Sequence, residues 1–159
     1  MKPKSFLTRL SEPTPIILDG ATGSELSNRG VNTGLPLWSS WALIDAPNIL
    51  SQIHYDYLSA GAEVITTNTF RTHRRSLAKA GMENKAFELT SQAVTIARDV
   101  VNFFINEGGH QAWVAGSISP LEDCYLPELV PPQKECEDEH LEIASTLAEA
   151  GADLILIET

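Results

Sequence analysis

The chain has 159 residues, 43% hydrophobic, 20% charged and 7% aromatic, the composition of one ordinary globular domain. Eleven Lys and Arg against 21 Asp and Glu leave a formal charge of −10, which repels phosphate backbones and argues against nucleic-acid binding. No apolar run approaches the ~20 residues that span a bilayer, and the opening MKPKSFLTRL has too short an apolar core for a signal peptide. Cys124 and Cys136 make neither a disulfide scaffold nor a paired-CxxC zinc site, so the chain reads as a soluble, cytoplasmic protein with no membrane partner.

Residues 1–14 are set apart as a tail. Ile16-Ile17-Leu18 then reads as a buried strand that meets a turn at Asp19-Gly20. Pro47-Asn48 opens a helix in which Ile49, Leu50, Ile53, Tyr57 and Leu58 recur at spacings of three and four, with Gly61 as its C-terminal glycine. The β-branched run Val64-Ile65-Thr66-Thr67 predicts a second strand. A long helix follows with Phe87, Thr90, Ala93 or Val94, Ala97, Val101 and Phe104 on one face, stopped by Gly108-Gly109. Trp113-Val114-Ala115 is a third strand ending at Gly116-Ser117. A helix over Lys134 to Ala150 carries Leu141, Ala144 and Leu147 or Ala148, and Leu154-Ile155-Leu156-Ile157 is a fourth strand before Glu158-Thr159.

An internal repeat ties these elements together. Ala60-Gly61-Ala62-Glu63-Val64-Ile65 recurs as Ala150-Gly151-Ala152-Asp153-Leu154-Ile155. Each copy is a helix end, a left-handed glycine, an acid and an apolar strand, the short connection of parallel βαβ units. The order β-α-β-α-β-α-β, with strands read as buried on both faces, gives an α/β fold with a parallel sheet. A (β/α)8 TIM barrel is favoured over an open doubly wound sheet, because Gly20-Ala21-Thr22-Gly23 is too short and irregular for a dinucleotide or phosphate loop. Four strands are half of such a barrel, which takes about 200 residues or more. The chain therefore reads as the first half of a larger barrel, with an unpaired strand edge through which it could self-associate.

Polar residues stand at all four strand ends, where α/β folds place their sites. Asp19, beside a small-residue turn, suits an ammonium group and equally suits capping of the turn. Thr66-Thr67-Asn68-Thr69-Phe70 offers hydroxyls and an amide for a substrate carboxylate, or for a local side-chain turn. Ser117 ends the third strand. Glu158 follows four aliphatic residues, and a carboxylate leaving so apolar a strand needs a partner: a ligand ammonium, an arginine or a magnesium ion. Cys124, Cys136 and His140 make too thin a set for zinc and read as incidental. His54 and His110 read as structural. Arg71, His73, Arg74 and Arg75 form a basic cluster that reads as a solvated helix start, with a grip on the anionic part of a second substrate as the alternative. Lys79, Lys85 and Lys134 lie off the strands, which disfavours Schiff-base aldol chemistry.

The motifs resemble those of the homocysteine S-methyltransferases. Ile17-Leu18-Asp19-Gly20-Ala21-Thr22-Gly23-Ser24-Glu25-Leu26 is similar to that family's opening signature, and Thr66-Thr67-Asn68-Thr69-Phe70 to its second-strand motif. Ala115-Gly116-Ser117-Ile118-Ser119-Pro120 resembles the third, and Gly151-Ala152-Asp153-Leu154-Ile155-Leu156-Ile157-Glu158-Thr159 the fourth. The resemblance implies a barrel, residues 15–159 being its N-terminal half. It also implies methyl transfer from a sulfonium such as S-methylmethionine, a betaine or a folate to the homocysteine thiol, forming methionine. By the same resemblance Asp19 and Glu158 hold the amino acid's ammonium, and Gly20, Asn68 and Thr69 lie along its carboxylate end. The family's zinc is held by three thiolates from later strands, none of which Cys124 or Cys136 matches, so this half carries no metal ligand and no catalytic residue of its own. The loop Ser119-Pro120-Leu121-Glu122-Asp123-Cys124-Tyr125 also departs from the Gly-Pro-Tyr-Gly type of some members. Two other readings stay open on the residues alone: a magnesium-dependent barrel lyase or aldolase using Asp19 and Glu158, and a non-catalytic half-barrel that pairs through its strand edge.

Overall fold

A computed structural model describes residues 4–158. Its centre is a parallel sheet in the order β1 (Val64–Thr66), β2 (Trp113–Ile118) and β3 (Leu154–Ile157). Val64 pairs with Trp113 and Ala115 with Leu154, so the strand C-termini share one edge of the sheet. The helices are α1 (Phe6–Leu10), α2 (Thr22–Asn28), α3 (Ala42–Asp45), α4 (Pro47–Ser59), α5 (Arg74–Ala78), α6 (Ala86–Asn106) and α7 (Gln133–Glu149), with a 3₁₀ turn over Trp38–Trp41.

The repeat sets the geometry of the crossovers. Gly61 (φ 107°) and Gly151 (φ 95°) both take the left-handed conformation that lets a helix end and the chain turn back. The next residue closes each turn identically: Ala62 N–H donates to Tyr57 O, and Ala152 N–H to Leu147 O, both at 3.0 Å. The acids that follow tie the turns down. Asp153 accepts from Val114 N–H at 2.8 Å and pairs with Arg98 at 2.7 Å. Glu63 takes a two-point bond from Arg9 at 2.6 and 2.8 Å. Arg9 also donates to the carbonyls of Thr14 and Pro15, and Phe6 packs edge-on against Trp113, so α1 folds under the N-terminal ends of β1 and β2.

The main core lies between the sheet and its helices, built from Leu58, Ile65, Val94, Ala97, Val101, Val114, Ile143 and Leu147. Leu147 packs so close to β2 that a Cβ on Gly116 would stand 3.0 Å from its methyl carbons. A second cluster of Leu37, Leu43, Leu50, Leu77 and Leu89 joins α6 to the segment before α4.

Three expectations need correction. The Ile16–Leu18 run lies beside β1 but makes only one parallel bridge, Leu18 to Val64, and Ile17 and Leu18 are about half exposed. Pro13 and Pro15 precede it, and Pro15 brings no N–H that could extend a ladder. Burial on both faces holds for β2 but not for β3, where Ile155 and Ile157 are exposed, because β3 is the sheet's outer strand among the described residues. On the helices the expected faces are buried at Thr90, Ala93, Val94, Ala97 and Val101 of α6 and at Leu147 of α7, but Phe87 and Leu141 point to solvent, and Leu89 and Ile143 are buried in addition.

Candidate functional site

At the C-terminal edge of the sheet lies a cavity of about 420 Å³ whose lining includes Asp19, Gly20, Trp38, Asn68, Phe70, Ser117 and Glu158. The sheet topology accounts for this convergence: Asp19 leaves the bridge beside β1, Asn68 follows β1, Ser117 stands near the end of β2, and Glu158 follows β3. Four segments far apart in the chain thus deliver polar groups to one mouth.

Both carboxylates are held before any ligand arrives. Asp19 accepts from Thr66 at each oxygen, from the backbone N–H at Oδ2 and from the hydroxyl at Oδ1, both at 2.7 Å. Burial pushes the Asp19 carboxyl above its ordinary range; the Thr66 bonds oppose that rise, and the charge of Glu158 adds to it. Glu158 accepts a short bond from the Ser117 hydroxyl, and its own N–H is fixed to Ile118 O at 2.9 Å. A buried carboxyl whose ionisation is opposed by a second acid lining the same cavity forms a site for a cation.

The remaining site residues divide between wall and support. A Cβ on Gly20 would lie 2.9 Å from the Tyr57 hydroxyl, so only glycine leaves the backbone open at that point. Asn68 is buried and donates to Ser39 O at 2.8 Å, holding the loop before α3 against the end of β1. Thr69 is fully buried and sits behind the wall, donating to Ser117 O at 2.7 Å, while Thr67 accepts from Ser117 N–H at 3.1 Å.

Sequence reasoning missed Trp38. Its backbone is left-handed (φ 49°), an uncommon state for a bulky residue, and its ring forms one wall of the cavity. Phe70 meets it edge-on with centroids 5.8 Å apart, and a Cβ on Gly23 would come within 2.4 Å of its Cζ2 atom. A tryptophan in a loop opened by Gly34 and Pro36 was the available signal, because a large aromatic outside any periodic stripe has to pack on something specific.

The basic cluster is not a solvated helix start. His73 is buried and caps α5, its Nδ1 accepting from Ser76 N–H at 3.3 Å, and burial holds its pKa at about 4. Arg74 pairs with Glu142, and Arg75 with Glu135, Glu139 and Glu122, so both clamp α5 to α7 and Arg75 also ties it to the loop after β2. His54 is fully buried in α4, with its pKa lowered to about 4 by desolvation, and His110 lies 2.9 Å from Ala62 O at its Nε2. Cys124 is exposed, Cys136 donates to Pro131 O at 3.4 Å, and His140 Nε2 lies 3.1 Å from Ser119 O. No group of three or more His, Cys, Asp or Glu that could hold a metal occurs among the described residues. No helix there is long and apolar enough to cross a membrane.

A parallel α/β sheet with an acid-lined cavity at its strand C-termini defines a barrel-type small-molecule site. The family model for homocysteine S-methyltransferase matches residues 16–159, and the chain belongs to that family. Homocysteine S-methyltransferase of Escherichia coli (strain K12) is 30% identical over 154 residues, covering 91% of this chain and 49% of that protein. YbgG of Bacillus subtilis (strain 168), also named a homocysteine S-methyltransferase, is 31% identical over 156 residues, covering 91% of this chain and 50% of its own length. The metallated form of the homocysteine methyltransferase MmuM from E. coli superposes with a TM-score of 0.86 at 30% identity, covering 96% of this chain and 56% of that one. The sheet and helices correspond to part of that barrel. The chain spans about half the length of the curated relatives it matches.

Proposed function

We propose that this chain forms the homocysteine-recognition half of a methyltransferase that methylates the homocysteine thiol to methionine. The observation that carries the reading is the acid pair: Asp19 and Glu158 line one cavity and are each oriented by a neighbouring hydroxyl. An ammonium seated between them relieves their mutual repulsion and offsets part of the cost of burying charge there. Gly20 leaves the backbone open for the carboxylate end of the amino acid, with Asn68 and Thr69 shaping that side of the wall. The reaction breaks the bond between a methyl group and its positive sulfur or nitrogen. The electron pair stays on the departing sulfide or amine, and the methyl carbon bonds to the homocysteine sulfur, which has lost its proton.

Trp38 favours an onium donor, a sulfonium or a betaine, over a folate. Its ring face suits a cation that carries no hydrogen-bond donor, and Phe70 fixes it edge-on. A relative's structure is described as metallated. Cys136 and His140 engage backbone carbonyls, Cys124 faces solvent, and no three His, Cys, Asp or Glu among the described residues come together, so they do not fit a metal centre, and activation of the sulfur is assigned to none of them. Residues 15–159 thus act as a recognition half-domain, in a protein of the cytoplasm.

Titration calorimetry with homocysteine tests the proposal. Asp19→Asn and Glu158→Gln should each weaken binding about tenfold or more, the scale of a lost charge-assisted bond. The desamino analogue 4-mercaptobutanoate should bind both variants and the parent chain equally weakly. Unchanged homocysteine affinity in both variants would reject the reading.

A further inference from the structure

β1 ends at Thr66, opposite Ala115, whereas β2 runs on to Ile118. Thr67 N–H still donates to Ala115 O at 2.9 Å, but Ser117 has no residue of β1 opposite it. Buried main-chain groups at such a point need partners from elsewhere. Two side chains supply them. Ser117 N–H donates to the Thr67 hydroxyl at 3.1 Å, and the Thr69 hydroxyl donates to Ser117 O at 2.7 Å. The two hydroxyls lie 2.8 Å apart, and all three residues are buried.

A hydroxyl has one proton to give. That of Thr69 is used on Ser117 O, so the bond between the threonines runs from Thr67 to Thr69. The result is a closed circuit in one direction, from Ser117 N–H through Thr67 and Thr69 back to Ser117 O. Bonds arranged head to tail reinforce one another in a low-dielectric interior. The N–H and C=O so held flank the Ser117 Cα and therefore fix the direction in which its side chain leaves the strand. That side chain donates to Glu158, and it is the one hydrogen-bond donor to the Glu158 carboxylate among the described residues. Asp19 is held separately, by Thr66.

We propose that Thr67 and Thr69 are positioning residues for recognition of the amino acid's ammonium, acting through Ser117 on the carboxylate of Glu158. This role rests on the homocysteine reading above and deepens it. Ser117 and Glu158 line the cavity, while Thr69 is fully buried behind its wall and acts without touching the ligand. A charge-assisted bond weakens steeply when its geometry is lost, so the aim of Glu158 sets what the ammonium gains there.

The test is calorimetry on the 159-residue chain with homocysteine and with 4-mercaptobutanoate, which lacks the amino group. Thr69→Val keeps the shape and removes the hydroxyl. It should weaken homocysteine binding about fivefold or more and leave 4-mercaptobutanoate within about twofold. Thr69→Ser should recover most of the loss. In the Glu158→Gln chain, Thr69→Val should cost less than about twofold, because no carboxylate is left to aim. Ser117→Ala keeps the circuit, which uses only main-chain groups of that residue, and cuts the link to Glu158, so it should match Thr69→Val. Thermal melting checks folding, and Thr67→Val, which opens the circuit at its other hydroxyl, takes the place of Thr69→Val if the latter does not fold. Unchanged homocysteine affinity in the folded valine variant, equal losses for both ligands, or the same cost in the Glu158→Gln chain would each overturn the proposal. Failure of both valine variants to fold would assign the threonines to the fold and overturn it too. A parent chain that fails to bind homocysteine overturns the homocysteine reading instead.

Discussion

Thr66 holds Asp19 at both carboxylate oxygens, one through its backbone N–H and one through its hydroxyl, each at 2.7 Å. The backbone bond follows from the fold, because Asp19 N–H is itself fixed to Val64 O two residues before Thr66. The hydroxyl bond depends on the side chain and can be removed separately. Thr66→Val should leave the fold intact, weaken homocysteine binding about tenfold and raise the pH at which binding is lost. Thr66→Ser, which restores the hydroxyl, should recover most of the affinity. Calorimetric titrations at several pH values measure both effects, and equal losses in the two variants would show that the hydroxyl does not act through Asp19.

The raised pKa of Asp19 places binding and stability in opposition. An ammonium needs the carboxylate ionised, so affinity should fall as pH drops through the raised value. Stability moves the other way. Folding favours the protonated form of a group whose folded pKa lies above its unfolded one, so this contribution is full at low pH and is lost as pH rises through the folded value. Asp19→Asn removes the buried charge while keeping the shape. It should therefore melt at a higher temperature than the parent at pH 8 while binding homocysteine poorly. A variant that is both less stable and unable to bind would show that Asp19 serves the fold rather than the ligand.

Much of this arrangement was legible in the sequence, and what was not has physical causes. The repeat around Gly61 and Gly151 specified parallel crossovers because the left-handed turn, the acid and the apolar strand are local features. Asp19 and Glu158 stood out because a carboxylate ending an apolar strand demands a partner. Trp38 escaped because its role comes from packing across the cavity on Phe70 and over Gly23, which no periodicity records. The partners of Arg74 and Arg75 escaped for the same reason, since Glu142 and Glu139 arrive from a helix remote in sequence. Phe87 and Leu141 were misread because each stands at the N-terminal end of an otherwise buried stripe, where periodicity continues but the packing partner does not.

His54 sets an acid limit on the fold. It is fully buried, neither ring nitrogen has a hydrogen-bond partner, and desolvation lowers its pKa to about 4 from 6.5. A depressed histidine gives its full contribution above the unfolded pKa, and that contribution is lost as pH falls from 6.5 towards 4. At pH 5 the loss is ~2 kcal/mol. His54→Leu should abolish it, so urea unfolding of variant and parent should diverge at pH 5 in the variant's favour by that order, with a smaller difference at pH 8. A parallel pH dependence in the two proteins would place the acid sensitivity elsewhere, His73 being the other buried candidate.

Gly23 and Trp38 offer a way to separate the two halves of the cavity. A methyl group at position 23 would overlap the indole, standing 2.4 Å from Cζ2 and 2.9 Å from Cε2, so the ring has to move. Gly23 lies in α2, away from the bonds that orient Asp19 and Glu158. Gly23→Ala should therefore weaken binding of glycine betaine or S-methylmethionine by about five- to thirtyfold, the range expected when a desolvated cation–π contact of about 1–2 kcal/mol is lost. Homocysteine affinity should stay within about twofold of the parent, since none of its polar contacts is touched. Tryptophan emission should change on the same substitution, reporting the displaced ring. Loss of homocysteine binding together with donor binding would mean that Trp38 supports the acid pair as well, and that the aromatic and acidic walls form one cooperative unit.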